Sequence, residues 1–366
     1  MWEQRFAAMG YLSIFVLPVL LVLGAYIGEP ALAMGTALIA YPAARAVFGS
    51  CRRPPVWREG LATLLHALPL LYAVALVVAV VLLLLTLRTD EPATALGRLG
   101  LGGSLALTLL FATCPAHELL HRREARHARV GAWLAGLGGY PWLCIEHRHH
   151  HSGAPSRSAA ESPRWDESAW TFSARRIAAI ARDVHRLCGL NAGSCRTALM
   201  ASHVREACGV TALSWAMFTA CGGWTGFLLY AFAVVIVTLG MQVMTYIQHW
   251  GLAAHSITQA QPQIAWEDDC QFQAWVTLHI SFHQSHHRQP TLPFYRLAMS
   301  ADAPRLPAGY IVLIAVCLIP SVWRLLMRPA MDYWARQPLK PLSSGHRLSC
   351  FHVYPAAPSD RVRHDL

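Results

Sequence analysis

Charge is scarce in this chain. Of its 366 residues only 14% are Asp, Glu, Lys or Arg, against 55% hydrophobic, and mean hydropathy is +0.35. So little charge excludes an ordinary soluble enzyme and fits a polytopic membrane protein. Ordered cysteine is also missing: the ten cysteines, from Cys51 to Cys350, include no CxxC pair and no alternating framework. That excludes a zinc ribbon and a disulfide scaffold, while scattered thiols suit a reducing cytosolic face and an apolar interior. Neither an internal repeat nor a low-complexity linker is present, so a single domain over 1–366 is expected. The net charge of +10 does not indicate nucleic acid, because the basic residues fall in loops between apolar runs, where membrane topology places them.

An apolar run of about 20 residues crosses a bilayer as a helix. Six such runs stand out, at about 11–28, 30–48, 62–87, 98–116, 207–223 and 225–248. The first pair is joined only by Gly28-Glu29-Pro30 and reads as a hairpin, and the fifth and sixth runs meet at Gly222-Gly223. Arg52, Arg53 and Arg58 lie in one loop, and Arg122, Arg123, Arg126, Arg129 and Arg148 in another. An excess of arginine marks the cytosolic side. The fold expected is therefore all-α, an integral bundle of about six transmembrane helices, multi-pass in the inner (cytoplasmic) membrane, with both termini in the cytosol. Residues 130–145 are apolar but short, and Gly138, Gly139 and Pro141 interrupt them, which predicts a re-entrant or interfacial element. Residues 308–326 contain Pro320 and read as a partly inserted helix, and 152–168 as a loop. Arg5, the first apolar run and Ala31-Leu32-Ala33 mimic a signal peptide, but a second run follows at once, so retention as a membrane helix is expected.

Histidine is what the chain has in excess. Eleven of its 19 histidines sit in four clusters: HELLH (His117, His121), EHRHHH (His147, His149, His150, His151), QHWGL (His249) and HISFHQSHH (His279, His283, His286, His287). Imidazole is the commonest side-chain ligand for transition metals, and one structural site needs about four ligands. The supply is roughly double that, so two metals held at the cytosolic membrane surface are the economical reading. His117 and His121 share a helix face; solvated loop residues would be the bland alternative. HELLH also satisfies the zinc-protease pattern HExxH with Glu118 as base, but an intramembrane protease leaves the other three clusters idle. His147 with His150 and His151 forms HxxHH, too dense for mere polar decoration, and His283 with His286 and His287 repeats it. His249 alone would read as an interfacial residue, and its company makes it a candidate. Histidine-rich sites suit iron, copper or zinc, of which zinc has no redox chemistry. Glu118 and Glu146 neighbour candidate ligands and are expected to accept imidazole N–H bonds and fix the rings. Glu267-Asp268-Asp269 either does likewise or is a solvated turn.

HELLHRR, EHRHHHS and HQSHH resemble the three histidine boxes of the membrane fatty-acid desaturase and hydroxylase superfamily, and QHWGL resembles the added motif of its membrane-bound alkane 1-monooxygenase branch. Arg164-Trp165-Asp166-Glu167-Ser168 with Phe172, and Leu306-Pro307-Ala308-Gly309-Tyr310 with Pro320 and Trp323, agree with it. The resemblance covers about 98–330, the expected catalytic part. It implies two non-haem irons, O2 activation, and insertion of oxygen into a terminal C–H bond of an alkane or fatty-acyl chain. The ligands it implies are His117, His121, His147, His150, His151, His249, His283, His286 and His287. It also implies a rubredoxin- or ferredoxin-type electron carrier, which the basic cytosolic face would attract. Desaturation, or oxidative decarboxylation to a terminal alkene, shares the same hydrogen abstraction and stays open. Three positions depart from the branch: the second box has two residues, not three, between its first histidine and the pair; Trp250 replaces a tyrosine; and Ser285 replaces an acid. Which of His149, His150 and His151 bind metal therefore stays open.

Overall fold

The computed structural model describes residues 2–89, 92–150, 161–189, 195–252 and 265–336. Among them the chain is helical, with two isolated bridges and no strand. Helix α1 (Trp2–Tyr26) turns back at the 27–31 loop into the shorter apolar α2 (Leu32–Phe48). Helices α3 (Glu59–Thr89) and α4 (Ala95–Leu120) follow, both long and apolar enough to cross a membrane, as is α1. Helix α4 is the most enclosed of the three, with Leu105, Leu109, Ala112 and Ala116 buried along it. Small residues make that possible: a methyl on Gly103 would lie 2.3 Å from the Met34 sulfur, so α2 docks against α4 closely only because no side chain intervenes.

The interrupted 130–145 stretch forms two short helices, α5 (Ala125–Leu137) and α6 (Leu143–His150), broken at the residues that sequence singled out. Helix α7 (Ala169–Gly189) precedes α8 (Cys195–His249), whose 55 residues would run about 80 Å if straight. It is not straight. Gly223 has φ 54° and ψ −137°, outside the helical region, and Phe218 stacks on Tyr230 with ring centroids 5.0 Å apart. Twelve residues of continuous helix would separate them by about 18 Å. Helix α8 is therefore a hairpin folded at Gly223, which matches the expected break between the fifth and sixth apolar runs. Four helices meet the length and apolarity for a crossing: Trp2–Tyr26, Glu59–Thr89, Ala95–Leu120 and Ala201–His249.

After α8 the chain supplies a compact cap: α9 (Gln271–Val276), α10 (His283–Arg288), α11 (Tyr310–Cys317) and α12 (Pro320–Arg336). The 308–326 stretch breaks in two before Pro320, whose ring and missing N–H favour the first turn of a new helix. Backbone bonds stitch the cap to the end of α2: Cys51 N donates to Asp269 O (2.8 Å) and Gln271 N to Gly49 O (3.0 Å). A second apolar core, with Phe172, Tyr246, Trp250, Trp266, Tyr310 and Trp323, lies beneath this cap. Trp165 stacks on Trp250 at 4.5 Å, and Trp250 meets Trp323 edge-on at 5.7 Å. Motifs separated by over 150 residues thus pack around the end of α8, where His249 sits.

Candidate metal centre

The histidine clusters converge at the end of α4, the start of α6, the end of α8 and the whole of α10. His117 and His121, one turn apart on α4, have ring centroids 4.9 Å apart, and His147 of α6 lies 4.3 and 4.1 Å from them. The ring of His286 joins from α10, 4.6 Å from His117 and 4.4 Å from His121. The second group is His249, His283 and His287, with centroid separations of 5.1, 5.4 and 4.5 Å. Within each of the trios His117–His121–His147 and His249–His283–His287, one ring nitrogen per residue lies within 4.8 Å of the others. Nitrogens sharing one ion at about 2 Å sit within about 4 Å of each other. Either trio needs little movement to meet that. The donor set fits a transition metal: neutral imidazoles, mostly buried, with no thiolate among them.

Helix α10 explains the HxxHH spacing. His283 and His287 are four residues apart and share a face, while His286 is turned about 100° from His287. One six-residue helix thereby serves both groups, with His283, His286 and His287 all under 10% exposed. His279, in the same sequence cluster, belongs to neither. Its Nε2 meets the Tyr11 hydroxyl at 2.7 Å and its Nδ1 meets Leu297 O at 3.2 Å, so it pins the cap to α1. Burial pushes its imidazole down to about 4, against the opposing pull of the Leu297 carbonyl. His151 and the side chains of His149 and His150 lie outside the described residues, so the register of the second box is not read from the structure.

The carboxylates near the site also meet charged and hydroxyl partners. Glu118 faces Arg122 at 3.6 Å. Glu146 accepts from the Tyr140 hydroxyl and pairs with Arg176, which also holds Glu161 (2.5 Å) and the Gln242 side-chain oxygen (2.9 Å). Burial pushes the Glu146 carboxyl above its ordinary value, with Arg176 pulling the other way. Sequence reasoning missed Arg176 and Gln242, which lie outside every box. The solvated-turn reading of Glu267-Asp268-Asp269 is overturned, because all three are at most 1% exposed. Asp268 pairs with Arg45, and Asp269 with Arg52 (3.0 Å) and Arg305 (2.5 Å). Glu267 accepts the backbone N–H of Ser285 and of Ser300, each at 2.8 Å. Ser285 is the third residue of α10, so Glu267 caps the helix that carries three candidate ligands. Burial pushes its carboxyl up to about 8, opposed by those two N–H donors.

A cavity of about 80 Å³ opens on the histidines and is lined by His117, His147 and His283 with Thr113, Cys114 and Met244. A second cavity, walled mainly by apolar side chains, shares Thr113, Cys114 and Met244 with it. A metal centre thus adjoins a space suited to an apolar ligand.

The chain matches alkane 1-monooxygenase 1 of Pseudomonas aeruginosa with 27% identity, over 58% of this chain and 58% of that one. It matches alkane 1-monooxygenase 1 of Alcanivorax borkumensis with 26% identity over 68% and 63%, and the Pseudomonas putida alkane 1-monooxygenase with 27% over 67% and 61%. It therefore spans about three-fifths of the length of the curated relatives it matches. The model of the fatty acid desaturase family matches residues 96–315. That stretch begins with α4, ends within α11 and contains every candidate histidine, so the chain belongs to the fatty acid desaturase family.

Proposed function

We propose that this protein is a membrane non-haem di-iron oxygenase that uses O2 to hydroxylate terminal C–H bonds of alkanes or fatty-acyl chains. The observation that carries this reading is the apolar cavity that shares Thr113, Cys114 and Met244 with the cavity lined by His117, His147 and His283, members of the two histidine trios. The relatives named alkane 1-monooxygenase support it. One iron is assigned to His117, His121 and His147 and the other to His249, His283 and His287, with His286 between them and His150 and His151 completing the nine. Bound iron would supply the oxidising power that a saturated C–H bond requires. The chain's own residues bind the hydrocarbon in an apolar space, keep water from it, and hold the imidazoles. Glu118 and Glu146 are assigned to accept imidazole N–H bonds and so fix the orientation of those rings.

We assign a single domain over 1–366 with its catalytic part at about 98–330, six passes through the inner membrane, and a cytosolic site. The α8 hairpin and the shorter α2 supply the two passes beyond the four long helices. Electrons would come from a rubredoxin- or ferredoxin-type carrier on the arginine-rich face. Desaturation or decarboxylation differs only in whether oxygen is inserted after hydrogen abstraction. The protease reading finds no support, since His117 and His121 stand among His147 and His286. The test is product analysis of cells fed a mixed panel of alkanes and fatty acids, with metal analysis of the purified chain. Two irons and a hydroxylated product are expected; one zinc with no iron would overturn the assignment.

A further inference from the structure

The second cavity is apolar on most of its wall, including Leu110, Phe111, Val276 and Val312. Two polar side chains break that wall. Tyr41 and Arg45 stand four residues apart on α2, so they share one face of the helix. They are 7% and 3% exposed. The Tyr41 hydroxyl and the Nε and Nη2 of Arg45 have no hydrogen-bond partner. Other polar groups of the wall are engaged. Thr113 and Thr277 hydroxyls each donate to a backbone carbonyl at 2.6 Å, and the Gln273 amide bonds Asp268 and Tyr310 N. The Tyr310 hydroxyl meets the Gln248 amide at 3.2 Å.

Arg45 meets Asp268 through Nη1 alone, at 2.5 and 2.6 Å to the two carboxylate oxygens. What remains is the side edge of the guanidinium, where the Nε–H and one Nη2–H run parallel. That edge matches the two oxygens of a carboxylate. Buried donors left unmade are costly, and Tyr41 and Arg45 line a space that would hold a hydrocarbon. A guanidinium set between two carboxylates has a counterpart in this molecule, since buried Arg176 holds both Glu146 and Glu161. We propose that the cavity binds a chain with a carboxylate head, a free fatty acid. Its oxygens meet the Nε and Nη2 of Arg45, the Tyr41 hydroxyl donates a third bond, and the tail runs towards Thr113 and Cys114. The inference deepens the oxygenase reading and rests on it for the chemistry beyond those residues.

The test is binding of labelled dodecanoic acid to the purified full chain in nanodiscs, corrected by protein-free discs and competed by dodecane, 1-dodecanol and methyl dodecanoate. The acid should compete at least about tenfold better than the three neutral chains, the factor set by one good charge-assisted bond. Tyr41→Phe removes a hydroxyl that has no partner in the fold, so thermal stability should hold while acid affinity falls about tenfold. Arg45→Lys keeps a cation for Asp268 and loses the paired N–H edge, and should lower acid affinity at least as far. Methyl dodecanoate equal to the acid, or Tyr41→Phe binding the acid as wild type does, overturns the proposal. Iron content is measured on the same samples. A chain without iron that still prefers the acid sinks the oxygenase reading and leaves the head-group site standing; iron without acid preference does the reverse.

Discussion

Replacing Glu267 by glutamine tests whether a residue outside every histidine box sets the second metal group. Both carboxyl oxygens are used, one by the Ser285 N–H and one by the Ser300 N–H, and the residue is fully buried. In either protonation state a carboxyl offers two acceptor oxygens, whereas a glutamine amide offers one oxygen and one nitrogen donor. Glu267→Gln therefore turns an N–H donor towards one backbone N–H and leaves it unsatisfied. That costs about 1–3 kcal/mol. The strain falls on α10, a helix of six residues that holds His283, His286 and His287. If metal binding must restore α10, the same free energy weakens the metal at His249, His283 and His287 by roughly 5- to 150-fold. The assay is iron content during a chelator titration, read beside thermal unfolding in detergent. One iron should leave at a lower chelator concentration, while the iron at His117, His121 and His147 is held as before. Wild-type retention of both irons with an unchanged melting temperature would refute the reasoning.

Three further outcomes are expected. His279 has a folded pKa near 4 against 6.5 unfolded, so at neutral pH both states are neutral and no stability is lost. As pH falls from 6.5 to 4 the unfolded chain takes the proton first, and about 3 kcal/mol should go; His279→Gln should flatten that part of a stability-against-pH curve, and an unchanged slope would exclude the assignment. Alanine at His149 should keep full iron and most activity, since an uninvolved imidazole is worth less than about 0.5 kcal/mol, whereas His150→Ala and His151→Ala should lose iron; equal loss at His149 would mean the ligand register is different. Gly139→Ala should destabilise by roughly 2–5 kcal/mol, because its φ is +70° and a methyl would lie 2.2 Å from Val234. A melting temperature equal to wild type would count against the close approach of α8 there.

Composition and periodicity determined much of this protein. Long apolar runs leave a chain no way to satisfy its backbone in a bilayer except as helices, so the helical class and the break at Gly223 were readable directly. The four histidine clusters were readable too, because so many imidazoles have no packing purpose. What sequence left undecided was sidedness of contact. A solvated turn and a buried ion-pair centre have the same letters, and only the cap folding over α2 decides that Glu267, Asp268 and Asp269 are buried with Arg45, Arg52 and Arg305. Likewise HISFHQSHH does not say that His279 turns away to Tyr11 while its neighbours face the metal groups; a positive φ of 61° at His279 does that. Arg176 carries no motif at all, and its place beside Glu146 exists only because α7 lies against α6 and α8. Local spacing fixes which side chains share a helix face, but which faces meet is settled by long-range packing, and there the two metal groups and the arginine-lined cavity are made.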